Sequence, residues 1–207
     1  ELRALGYSVL AQTCDVCDEA QVQSFIEATV KEYGRIDACL NNAGIDPSHN
    51  LLANTPTSEF DRVMAVNVKG VFLCMKYQIK QMLAQGGGSI CNISSVAGVG
   101  GAPQMSAYAA SKHAVMGLTR SAAWEYGRNN IRVNAVCPFI TKTAMLDQML
   151  DLAPDREAAL LELGKRSALK RVAEAEEVVQ AILFACDAKN TYMTGQPLVV
   201  DGGMGAI

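Results

Sequence analysis

With 207 residues, 50% hydrophobic and 19% charged, the chain can bury one substantial core and is most economically a single domain over 1–207. A net charge of -3 without basic runs argues against electrostatic capture of nucleic acid. No stretch approaches the roughly 20 apolar residues of a membrane span and no charged-then-apolar leader opens the chain, so it reads as soluble, unexported and cytoplasmic, with no membrane partner.

Residues 8–13, from Ser8 to Thr13, read as a short strand. Asp18 then caps a helix whose apolar positions Val22, Phe25, Ile26, Val30 and Tyr33 recur at helical spacing, and Gly34 stops it. A largely apolar run at 36–40 leads into Asn41-Asn42-Ala43-Gly44, whose small and amide residues allow a turn. A loop with Pro47 and Pro56 comes next. The pattern then predicts one long helix from Thr57 or Ser58 to about Gln85, ended by Gly86-Gly87-Gly88. Strands are expected at 90–93 and 131–136, separated by a helix from about Ser106 to Gly127. After Pro138 come a loop and short helices, a helix from about Ala175 to Ala188, and a last strand at 197–200 before Asp201-Gly202-Gly203. Short apolar strands separated by helices are what a parallel sheet covered on both faces requires. The fold class is α/β, doubly wound.

The seven cysteines are scattered, several in apolar runs, and read as buried reduced thiols. Cys14 and Cys17 make a C-x-x-C without a second pair or a nearby histidine, so no metal site is expected. His49 and His113 have no triad or metal companions and read as surface residues. Asn92-Ile93-Ser94 matches a glycosylation acceptor but falls in a core strand. Gly98, Gly100 and Gly101 read as a flexible loop. Asp15 by itself is a turn residue or cap.

Chemistry concentrates where Ser95, at the end of a strand, meets Tyr108 and Lys112. Four residues apart on a helix, the last two share a face. A free tyrosine has a pKa of about 10, and moving it to about 7 takes roughly 4 kcal/mol. One cation about 4 Å away at an effective dielectric near 20 supplies energy of that order, so Lys112 is expected to make Tyr108 a usable base.

Ser95, Tyr108 and Lys112 at this spacing, with Asn41-Asn42-Ala43-Gly44 upstream and Asn67 inside the long helix, resemble the short-chain dehydrogenase/reductase family over essentially the whole chain. The resemblance implies an NAD- or NADP-dependent oxidoreductase that interconverts a secondary alcohol and a ketone. Tyr108 would be its general acid/base, and Lys112 would lower the Tyr108 pKa and hold the nicotinamide ribose. Ser95 would hydrogen-bond the substrate oxygen, and Asn67 would anchor a water linking Lys112 to solvent. Asp15 and Val16 would meet the adenine, Asn42, Ala43 and Gly44 the adenosine ribose, and Pro138, Thr141 and Thr143 the nicotinamide amide. A substrate loop spans about 139–170, and its Met145, Leu146, Met149 and Leu150 suit a lid over a largely apolar alcohol or ketone. A homotetramer or homodimer is implied by analogy.

Two departures stand out. Phe139 comes after Pro138 where the family usually has glycine, and it is expected to crowd or redirect the nicotinamide side of the site. The family's glycine-rich phosphate loop, with its first strand, first helix and second strand, has no counterpart in a sequence that opens on Glu1-Leu2-Arg3-Ala4-Leu5-Gly6, at the end of a later helix of the family. The strand at 8–13 would then stand roughly 14 Å from the one at 36–40. Either the sequence is a fragment of a longer protein, which is the expectation, or 8–13 pairs directly with 36–40. The competing functional reading is a truncated or pseudoenzyme subunit with an oligomerisation or binding role. A hydrolase built on Ser95 lacks a histidine base and a nucleophile elbow.

Overall fold

The structure, a computed structural model, describes residues 2–46 and 48–206. Glu1 and Pro47, the latter in the loop expected before the long helix, lie outside the described residues. Four parallel strands, β1 (Ala38–Asn41), β2 (Gly88–Ile93), β3 (Ile131–Pro138) and β4 (Pro197–Val200), form one sheet in the order β1-β2-β3-β4. Each crossover carries helices: α2 (Thr57–Met64) and α3 (Val71–Gln85) before β2, α4 (Ser106–Tyr126) before β3, and α5 (Ala144–Leu150), α6 (Arg156–Lys165) and α7 (Ala175–Cys186) before β4.

Helices cover both faces. On one, Val71, Met75, Ile79 and Met82 of α3 and Val115, Ala122 and Ala123 of α4 close over Cys39, Ile90, Ile131 and Val133. On the other, Val178 and Ala185 of α7 pack on Cys91 and Val136. Helix α1 (Glu19–Tyr33) adds Ile26 to the first face. The Asp18 carboxylate accepts from the Ala20 and Gln21 amides at its start, and Gly34 closes it at φ 81°. A buried polar network crosses the same core. Asn41 and Gln78 exchange amide hydrogen bonds of 3.1 and 2.7 Å, Asn41 Nδ2 also donates to Asn92 Oδ1, and Asn92 Nδ2 donates to Thr119 Oγ1.

Two expectations are corrected. Residues 8–13 form no strand and pair with neither β1 nor any other strand. Their polar contacts are made by side chains: the Leu10 amide donates to the Tyr33 hydroxyl, and the Arg3 guanidinium donates to the Val9 carbonyl. An extended segment without a ladder partner has no cooperative hydrogen bonding to make it a strand. At the sheet edge, β1 buries only Cys39 and Asn41 and leaves Leu40 46% exposed. The long helix expected over 57–85 is real but interrupted, because Ala65–Gly70 widens into a π stretch between α2 and α3. All seven cysteines are free, and no helix among the described residues is long and apolar enough to cross a membrane.

Candidate active site

Ser95, Tyr108, Lys112 and Asn67 lie where the parallel strands end at their carboxyl side, the usual place for a site in an open α/β sheet. Ser95 comes just after β2 in an extended conformation and caps the short turn Val96–Gly98, its Oγ accepting from the Ala97 amide at 3.2 Å. That Oγ also lies 3.5 Å from the Pro138 carbonyl at the end of β3. Tyr108 and Lys112 sit in the first two turns of α4, and the Lys112 Nζ lies 5.4 Å from the Tyr108 ring centroid.

Gly98 makes this close approach possible. A Cβ there would stand 2.2 Å from Ser94 Oγ and 2.7 Å from the Lys112 carbonyl oxygen, so the Ser95 turn lies directly against α4. Ser94 Oγ ties the two together by donating to that same carbonyl at 3.0 Å. Gly98 is therefore a packing requirement rather than a source of flexibility.

Lys112 is 5% exposed, and its ammonium donates to the Ile93 carbonyl at 2.9 Å. Burial pushes its pKa from 10.5 down to about 8, against the smaller opposing influence of Cys137 and Asp46. Burial also pushes Tyr108 up from 10.0 to about 12, while the nearby Ser95 hydroxyl acts downward and the charge of Asp46 upward. The expectation that Lys112 draws Tyr108 towards 7 is thus corrected. Desolvation of the phenolate wins, and the ammonium is turned to a strand carbonyl.

Asn67, fully buried in the π stretch, spends its side chain on protein partners. Its Oδ1 accepts from the Ile45 amide at 2.8 Å, and its Nδ2 donates to the Ile45 carbonyl at 2.9 Å and to Ser111 Oγ at 3.1 Å. The Ser111 hydroxyl in turn donates to the Tyr108 carbonyl. The turn after β1 is thereby pinned to α4. Gly44 runs beside both side chains: a Cβ there would stand at contact distance, 3.4 Å from Asn67 Oδ1 and 3.6 Å from Lys112 Nζ. Asn42 and Ala43 beside it are exposed.

The remaining candidates sit on separate loops. Asp15, before α1, is exposed and uses Oδ1 to accept from the Cys17 amide, which is a turn geometry. Val16 packs on Gly70 at the end of the π stretch. Thr141 donates to the Phe139 carbonyl, and Thr143 directly precedes α5. Phe139 lines a cleft with Leu169, Val200 and Gly202. Of the four apolar residues expected in a lid, Leu146 and Leu150 are buried, whereas Met145 is exposed and Met149 half-buried. Sequence reasoning missed one group altogether. Asp46, with His49 three residues on, lies close enough for its charge to act on both Tyr108 and Lys112. Its place directly after the Gly44-Ile45 turn was the available signal.

A family model described as enoyl-(acyl carrier protein) reductase matches residues 2–205. The chain is 40% identical to levodione reductase of Leifsonia aquatica over 201 residues, covering 96% of this chain and 75% of that protein. Among solved structures, ElxO with NADP bound superposes with a TM-score of 0.89 at 37% identity, over 95% of this chain and 78% of that one. NAD+-bound xylitol dehydrogenase superposes with a TM-score of 0.92 at 31% identity, over 98% and 82%.

Proposed function

The chain belongs to the short-chain dehydrogenase/reductase family, and from that premise we propose how its site performs the family's chemistry. It is an oxidoreductase that interconverts a secondary alcohol and a ketone with NAD or NADP. The nicotinamide cofactor supplies or accepts the hydride when bound. The bare corner at Gly44, which a Cβ would fill against Asn67 and Lys112, fits a cofactor lying along the strand ends. Lys112 and Tyr108, the 42–44 turn, Pro138, Thr141 and Thr143 would hold it, with Asp15 and Val16 at the adenine end.

Tyr108 moves the proton. Hydride arrival at a ketone builds negative charge on its oxygen, and a phenol kept neutral by burial is the acid to neutralise it. Ser95, whose hydroxyl lies close enough to influence the Tyr108 phenol, orients the same oxygen. Lys112, with a pKa of about 8, is mostly cationic at neutral pH, and its ammonium, 5.4 Å from the Tyr108 ring centroid, would favour the phenolate left behind once a substrate draws it from the Ile93 carbonyl. Asn67 holds the Gly44-Ile45 turn and the Tyr108 helix in register. Residues 139–170 form the substrate loop of a single domain. The observation that carries this reading is that the turn starting at Ser95 packs against the helix bearing Tyr108 and Lys112, with Lys112 Nζ 5.4 Å from the Tyr108 ring centroid.

Exposed Phe72 and Leu83 on α3, Trp124 on α4, and Leu183 and Phe184 on α7 support a homo-oligomer, read here as a homotetramer. Seven free thiols support a reducing cytoplasm. Tyr108→Phe tests the chemistry. The quenching or enhancement of NADH and NADPH fluorescence should persist, while turnover of ketones falls by about a hundredfold or more. Turnover within tenfold of the parent protein would refute the role given to Tyr108.

A further inference from the structure

The loop after β1 delivers to this site a carboxylate that the chemistry above does not use. The two hydrogen bonds between Ile45 and Asn67 fix the backbone directly before Asp46. Beyond it, the Ser48 hydroxyl donates to Glu59 of α2 at 2.7 Å, and the Asn50 amide donates to the Gln104 carbonyl at 2.9 Å, just ahead of the Tyr108 helix. Ile45, directly before Asp46, and Ser48, two residues after it, are thus each tied to a neighbouring helix.

Its two oxygens have different surroundings. Oδ2 lies 3.7 Å from His49 Nε2, and the His49 side chain is 41% exposed. Oδ1 is buried and has no hydrogen-bond partner among the described residues. Native proteins rarely leave a buried polar atom unpaired, because its desolvation costs about 1–3 kcal/mol and more when it is charged. His49 lies against Asp46, and Glu59, Lys112 and Tyr108 are near enough for charge to act between them and the carboxylate. Asp46 follows the Gly44-Ile45 turn, where a Cβ on Gly44 would stand 3.6 Å from Lys112 Nζ, so the orphaned acceptor lies in the turn beside the Tyr108–Lys112 helix.

We propose that Asp46 is a specificity-determining residue whose free Oδ1 accepts a hydrogen bond from a second hydroxyl on the substrate, one or two carbons from the reacting carbon. The inference rests on the alcohol–ketone reading above and narrows its substrate class to hydroxy ketones and the corresponding diols. The rest of the substrate can still be apolar, with the carboxylate as its polar anchor. A site built to bond a hydroxyl rejects the analogue that lacks it, because its own acceptor then stays buried and unpaired.

The test compares kcat/KM for butan-2-one, 3-hydroxybutan-2-one and 4-hydroxybutan-2-one in the parent protein, Asp46→Ala and Asp46→Asn, with NADH or NADPH fluorescence titration as the check that each variant is folded. The parent should favour at least one hydroxy ketone over butan-2-one by about tenfold or more, the scale of one hydrogen bond to a charged group. In Asp46→Ala that ratio should collapse towards one, and Asp46→Asn, which keeps an acceptor oxygen, should fall between. A parent without the preference, or a ratio that Asp46→Ala leaves intact, would overturn the inference while the oxidoreductase reading stands. Turnover of none of the three ketones despite cofactor binding would overturn both.

Discussion

Replacing Lys112 by methionine should stabilise the cofactor-free protein at neutral pH while removing its activity. The fold holds this ammonium at 5% exposure and lowers its pKa from 10.5 to about 8. At about 1.4 kcal/mol per tenfold, that depression corresponds to roughly 3 kcal/mol by which the charged form is disfavoured on folding. The cost is present in full below pH 8, where lysine is charged in both states. It shrinks as pH rises from about 8 to 10.5, because there the unfolded chain binds more protons than the folded one. Methionine keeps the apolar stem and loses the hydrogen bond to the Ile93 carbonyl, about 1 kcal/mol, so a net gain of about 1–2 kcal/mol is expected at pH 7. Urea unfolding of both proteins at pH 7, 8, 9 and 10 reads this, since titrating groups that do not sense the Lys112 charge cancel in the difference. The advantage of Lys112→Met should decline steadily as pH rises. A difference that is flat with pH, or a variant less stable than the parent at pH 7, would refute the reasoning.

Two further substitutions probe the scaffold of the site. Gly98→Ala places a methyl 2.2 Å from Ser94 Oγ and should destabilise the protein by about 3 kcal/mol, whereas Gly101→Ala, with nothing within 4 Å, should change stability by less than about 0.5 kcal/mol; equal thermal melting of the two variants would contradict the packing role of Gly98. Asn67→Ala strips the Ile45 amide and carbonyl of their partners, so it should cost about 2–4 kcal/mol and speed hydrogen exchange at the Ile45 amide. Unchanged protection there would show that the turn is held by other contacts.

The α/β architecture and the Ser95–Tyr108–Lys112 grouping were legible in the sequence, because strand and helix periodicities and the spacing of three chemical groups are local properties. Non-local effects were not. Residues 8–13 have the composition of a strand, but a strand exists only by virtue of its neighbour. The π stretch at 65–70 leaves the apolar rhythm of 57–85 intact, so only the structure shows how Asn67 reaches Ile45. The direction of the Tyr108 shift depends on how completely water is excluded and on where the Lys112 ammonium turns, and spacing carries neither. Asp46 escaped notice because its interest lies in a missing partner.

The reciprocal amide pair of Asn41 and Gln78, joined to Asn92 and Thr119, also bears on how the chain finds its fold. Strand β1 is only four residues long, and its apolar side chains alone discriminate poorly between alternative alignments against β2. A slip of one residue would turn Asn41 outwards and strand the Gln78 and Asn92 amides in the core without their bonds. The network therefore acts as a register key for the strand whose end carries the Asn42–Gly44 turn, and it fixes where that turn meets the catalytic helix before any ligand arrives.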